Sequence, residues 1–206
     1  MTGRGAPPPM RYDDRTLAGL LLFFASTEFF LAMLIAVGTL PAYRVSSQAI
    51  SDLGVGPTAP LFNSSIIVLG LLNLAGAYFY HRTHNVKWIT IPFLLTGVGP
   101  IGVGLFPENL LLPHSIFALI SFIFGNLTAI LIANRVRPPF RYISVILGVV
   151  GLVALVLFVA GQYAGIGFGG MERLIVYPVL FWEASFGGYL MATREPSPAP
   201  PSGPSP

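Results

Sequence analysis

Apolar residues gather into six long runs separated by short, more polar connections: Leu17–Leu40, Pro60–Tyr80, Val86–Phe106, Pro113–Asn134, Arg141–Gln162 and Met171–Thr193. Each is long enough to cross a hydrocarbon core about 30 Å thick, which takes about 20 residues at helical rise. The pattern predicts an all-α fold, a polytopic membrane protein built as a six-transmembrane-helix bundle. The first run is too long for the apolar region of a signal peptide and lacks a convincing cleavage site, so it reads as a helix.

The connections alternate in charge, and that sets the expected orientation. Arg4, Arg11 and Arg15 precede the first run, Arg82 and Lys87 lie between the second and third, Arg135, Arg137 and Arg141 between the fourth and fifth, and Arg194 follows the sixth. Only Arg44 and Arg173 fall on the other side. The positive-inside rule then places both termini in the cytoplasm of a multi-pass protein of the cell membrane. Residues 1–16 read as a disordered cytoplasmic tail, 17–193 as the transmembrane domain and 194–206 as a second, Pro-rich disordered tail. Of the three extracytoplasmic connections, 41–59 is the longest and is expected to fold as a packed lid. Tyr43, Tyr78, Tyr80, Trp88 and Tyr142 lie near span ends, where an interfacial aromatic belt belongs.

With 54% hydrophobic and 9% charged residues in 206, the chain leaves no room for a separate soluble domain. The net charge of +3 sits in short cytoplasmic loops, which suits anionic headgroups and makes membrane lipids, not nucleic acid, the expected partners. There is no cysteine, so disulfides and thiolate metal sites are excluded. No phosphate loop or dinucleotide fingerprint calls for a cofactor. Gly97, Gly99, Gly102 and Gly104 in the third span, with Gly187 and Gly188 in the sixth, mark close helix packing, and Pro100 is expected to kink the third span.

Polar groups are costly at membrane depth and usually face a bundle interior or wet cavity. The second, fourth and sixth spans each open with one: Asn63, His114 and Glu172. Each carries another deeper in: Asn73, Asn126 and Glu183. Glu172 and Glu183, eleven residues apart, share a helix face. With Asp52, Glu108 and Arg173 at similar depth, these residues predict a polar pocket at the extracytoplasmic end, although Asn63 and Glu172 also suit plain helix starts. Glu28 and Glu183 both fall near mid-membrane with no Lys or Arg at their level. They read either as a proton- or cation-handling pair or as protonated acids bonded to Ser26, Thr27 or Ser185. Asp52, Glu108, His114 and Glu172 offer metal ligands, but no second histidine lies on that side and no metal site is expected. A Ser51–His114–Asp52 arrangement has no nucleophile-elbow motif behind it.

Ile50-Ser51-Asp52-Leu53-Gly54, then Phe62-Asn63, Gly104-x-Phe106-Pro107 with His114 following, and Glu172-Arg173 with Trp182 resemble the prokaryotic membrane proteins grouped as domain-of-unknown-function family 998. The likeness runs from about Leu17 to Thr193. A looser similarity, carried by the same I-S-D-x-G stretch and by Leu72-Asn73, reaches the eukaryotic DRAM-type autophagy-modulator membrane proteins. The resemblance implies six helices and cytoplasmic termini, and marks Asp52, Asn63, His114, Glu172 and Arg173; Glu28 and Glu183 lie outside its pattern. It implies no reaction, because the family has no established one.

The leading expectation is a membrane protein whose extracytoplasmic polar pocket binds or organises a lipid headgroup or small amphiphile. Asp52 would order the mouth by pairing with Arg173. His114 and Asn63 would supply hydrogen bonds and Glu172 an anionic contact. The alternatives are a membrane-embedded lipid hydrolase, a proton- or cation-coupled carrier using Glu28 and Glu183, and a structural subunit of a larger membrane assembly. A homo-oligomer also stays open.

Overall fold

The structure, a computed structural model, describes residues 12–193; the two tails read from the sequence lie largely outside that range. Six helices carry the fold: α1 Asp14–Gly38, α2 Ala59–His84, α3 Lys87–Leu105, α4 Leu111–Ile132, α5 Phe140–Val159 and α6 Gly167–Ala192. Among the described residues there is no strand. All six are long and apolar enough to cross a membrane. The large apolar side chains left exposed, such as Phe24 of α1 and Val156 and Val159 of α5, fit a lipid-facing surface and not a wet one.

The helices stand in sequence order around a ring, each against the next, with α6 closing onto α1 and α4 also touching α6. The connections after α1, α3 and α5 therefore share one end of the bundle, here the loop end, opposite the first and last described residues. Close approach comes from missing side chains. A Cβ on Gly19 of α1 would lie 2.6 Å from the Gly187 carbonyl oxygen of α6, and one on Gly187 would lie 2.5 Å from that of Gly19. Gly70 of α2 and Gly97 of α3 repeat the arrangement at 2.5 and 2.8 Å. In lipid, where apolar burial drives little association, such backbone contact is what packs helices together.

Several helix limits differ from the apolar runs, each for a local reason. Asp13 caps α1, its carboxylate accepting the Thr16 N–H at 2.7 Å, so the helix begins before Leu17. α2 runs on past Tyr80 to His84 and stops at Asn85, whose left-handed backbone (φ 49°) ends the helix. α3 continues through both Pro92 and Pro100. α6 starts four residues earlier than its apolar run, inside the Gly-rich stretch. The aromatic belt also needs correction. Tyr78, Trp88 and Tyr142 are exposed, but Tyr80 is buried in the core, stacked on His84 and edge-on to Phe93 and Phe186.

Candidate functional site

The long connection 39–58 folds over the loop end with two short 3-10 turns, Ser51–Gly54 and Gly56–Thr58, and buries Ala49, Ile50 and Leu53. What holds it there is the first two turns of α6. The N–H groups of Gly169 and Gly170, free because they open a helix, donate to the Ser46 carbonyl at 3.0 and 3.3 Å. Arg173, 5% exposed, donates to the carbonyls of Val45 (2.8 Å), Gln48 (2.9 Å) and Gly169 (2.8 Å) and to the Tyr43 hydroxyl (2.5 Å). The Tyr43 hydroxyl in turn donates to Ala49 O at 2.5 Å. Glu172 accepts the N–H of Ile50. The glycines are required: a Cβ on Gly169 would fall 2.0 Å from the Gln48 carbonyl oxygen.

This geometry corrects the expected Asp52–Arg173 pair. Arg173 gives its terminal N–H groups to carbonyls and to the Tyr43 hydroxyl, and the one ion pair among the described residues is Arg82–Asp14, at 3.1 Å. Asp52 instead accepts the Ala49 N–H at 2.9 Å, closing its own turn. Glu108, from the short connection after α3, places its carboxyl beside Asp52 and Ser51; burial first, and then the Asp52 charge, push it above the ordinary carboxyl range.

Two cavities meet under the loop. The first measures about 70 Å³ (room for the centres of water-sized spheres) and descends between the helices, with Ile50, Ser51, His114 and Glu172 at its upper end. The second, about 360 Å³ by the same measure, is walled by Leu111, Ser115 and Leu119 of α4 and by Leu155, Phe158 and Val159 of α5. Ser51, His114 and Glu172 belong to both walls. Leu111 and Val159 are among the most exposed apolar residues, so the larger cavity opens on the outer surface of the bundle between α4 and α5. Glu108 also borders it.

His114 is 7% exposed, and its Nδ1–H donates to the Phe106 carbonyl at 2.8 Å. With that bond made, Nε2 is the ring nitrogen left to meet a ligand. In a Ser–His–acid triad that Nδ1–H would go to a carboxylate. Here it goes to the main chain, so no triad is assembled. Among the described residues, no three His, Cys, Asp or Glu side chains converge so as to hold a metal ion.

Of the residues read from the sequence, His114, Glu172 and Glu108 border the cavities, while Asp52, Asn63 and Arg173 do not. Asn63 donates to the Gly54 carbonyl at 3.0 Å, pinning the second half of the connection to α2. Asn126 donates to the carbonyls of Phe122 (2.9 Å) and Ile175 (3.2 Å), joining α4 to α6. Glu28 and Glu183 are not a pair. Glu28 lies beside Ser65, outside both cavities, whereas Glu183 lies beside Asn73 in the wall of the smaller one. Ser26, read as a partner for these acids, gives its hydroxyl to Leu22 O. Ser51 is the wall residue that sequence reasoning underrated. Its position beside Asp52 was visible, but not that the 3-10 turn carries it over His114.

The family model for Protein of unknown function (DUF998) matches residues 17–188. No curated protein and no solved structure matches the chain, so the likeness to DRAM-type proteins rests on the short motifs alone. The match spans all six helices and the long connection, and the chain belongs to the DUF998 family of proteins of unknown function.

Proposed function

We propose that this membrane protein binds an amphiphile, its polar head under the long connection at the extracytoplasmic end and its chain between α4 and α5. The observation that carries the reading is the meeting of the two cavities at Ser51, His114 and Glu172. A group placed there faces a hydroxyl, an imidazole nitrogen and a carboxyl, with the Glu108 carboxyl nearby. The rest of the larger wall is leucine, valine and phenylalanine and opens where lipid tails would lie. Its size falls within the range of about 300–1,000 Å³ common for small-molecule sites. A few convergent polar groups in an otherwise apolar hollow match a ligand with one wet end and one greasy end.

The orientation is supported by the basic residues, which favour the terminal side as cytoplasmic. Among the described residues no triad or metal cluster supports the hydrolase reading, and Glu28 and Glu183 do not meet as the carrier reading needs. The test is native mass spectrometry of the full-length protein released from lipid nanodiscs. Wild type retains a lipid or lipid-sized amphiphile. His114→Ala and Glu172→Gln lower its occupancy, and Ala118→Trp, which fills a position common to both walls, removes it. Equal occupancy in all four proteins would defeat the proposal.

A further inference from the structure

The smaller cavity continues well below the loop. Its wall runs from Ser51, His114 and Glu172 inward to Asn73 and Glu183. Glu183 lies eleven residues along α6 from Glu172, or about 16 Å at helical rise. At that inner end two acceptor atoms are left over. Asn73 is 1% exposed and Glu183 2% exposed, and the two side chains lie next to each other. Asn73 Oδ1 and Glu183 Oε1 nevertheless have no hydrogen-bond partner among the described residues.

The surroundings supply no countercharge, and the donors in the wall, the Asn73 amide beside Glu183 and the Ser121 hydroxyl, leave Glu183 Oε1 and Asn73 Oδ1 without a partner. The cavity wall holds no Lys or Arg, and its other titratable groups, His114 and Glu172, stand at the opposite end. The Thr96 hydroxyl already donates to Pro92 O at 3.1 Å. Toward the terminal end the helices close over Tyr80, Phe93, Trp182 and Phe186, each at most 1% exposed. The inner end of the cavity is thus closed toward the terminal side. Buried acceptors without donors are costly, and a buried carboxylate without a cation more so. A positively charged group bearing several N–H donors answers both needs.

We propose that Glu183 and Asn73 form an inner binding subsite for a protonated primary amine, reached through the cavity from the loop end. Glu183 Oε1 and Asn73 Oδ1 accept two of the ammonium hydrogens, and the carboxylate neutralises the charge. Leu69, Val176, Val179 and Leu180 in the same wall surround the carbon attached to the nitrogen. The amine is either a small water-borne ammonium or the end of an amine-bearing amphiphile. The inference goes beyond the amphiphile reading and does not require it, because the inner subsite is complete without His114 or Glu172.

Isothermal titration calorimetry of the purified full-length protein tests it. Butylammonium is expected to bind at one site per chain. Tetramethylammonium, with the same charge and no N–H donor, binds at least about tenfold more weakly, the scale of one hydrogen bond to a charged group. Binding of methylammonium identifies a water-borne amine; binding of butylammonium and dodecylammonium alone identifies an alkylamine from the membrane. Glu28→Gln, outside the cavity wall, leaves the binding unchanged. Glu183→Gln and Asn73→Ala each weaken it about tenfold or more. Glu172→Gln leaves butylammonium binding intact even where it lowers lipid occupancy, so the two proposals fail separately. No binding of any amine, equal binding of tetramethylammonium, or unchanged binding in Glu183→Gln would overturn the subsite.

Discussion

The Glu172 carboxylate accepts the backbone N–H of Ile50, joining the second turn of α6 to the long connection across most of the chain. The same residue stands in both cavity walls. Latch and site therefore share a side chain: the loop is the roof of the cavities, and the helix that roofs itself with it also supplies their carboxyl. Displacing the loop would carry Ile50 and Ser51 out of the walls together.

Arg173→Ala is expected to lower stability by about 3 kcal/mol. It removes donors from the carbonyls of Val45, Gln48 and Gly169 in a buried setting. Thermal unfolding in detergent and proteolysis within residues 41–59 provide the readings. Arg173→Lys should fall between, since an ammonium keeps the charge but cannot reach all four acceptors from one plane. A midpoint unchanged by the alanine substitution would remove the latch from the account.

Gly169→Ala should release the connection while sparing the helices. The new Cβ would meet the carbonyl oxygens of Gln48 at 2.0 Å and Val45 at 2.6 Å, and backbone cannot turn aside as a side chain can. Hydrogen exchange should rise at Ala49, Ile50 and Leu53 and stay constant in α2 and α3. Equal protection in variant and wild type would show that the loop is held some other way.

Glu108 gives the loop end a pH dependence. Burial and the neighbouring Asp52 raise its carboxyl above the ordinary glutamate value of 4.5. A group raised in the folded state holds its proton more tightly there than in the unfolded chain. Its stabilising contribution is fully present below that ordinary value and is lost as pH rises through the folded one. The stability of wild type relative to Glu108→Gln should therefore decline with rising pH above about 4.5. Parallel unfolding curves for the two proteins across that window would contradict the assignment.

Reporter fusions at the two ends should give the cytoplasmic signal for both, with the opposite signal from an insertion near Gly161. An even number of crossings puts the two ends on one side, and the nine basic residues there choose which compartment they share. A periplasmic or external signal from either end would invert the bundle.

The six spans were legible because crossing lipid demands only length and apolar content, which composition records directly. The start of α6 was not. Gly167–Gly170 are helical because Ser46, far away in sequence, accepts the N–H groups of Gly169 and Gly170, and because no Cβ stands in the way. Arg173 and Asp52 have opposite charges at similar depth, which suggested a pair; the loop instead turns its carbonyls toward the guanidinium and keeps Asp52 for Ala49. Depth likewise suggested pairing Glu28 with Glu183. Which way each points around its helix depends on packing, and that sends one toward Ser65 and the other toward Asn73. His114 and Glu172 line the cavities, as polar groups at membrane depth tend to face an interior hollow.

The most direct measurement is a high-resolution electron cryo-microscopy map of the protein in lipid nanodiscs. The account predicts elongated density that passes between α4 and α5 and ends within hydrogen-bonding distance of Ser51, His114 or Glu172. Acyl chains confined to the outside of the bundle, with nothing larger than water at those three residues, would contradict it.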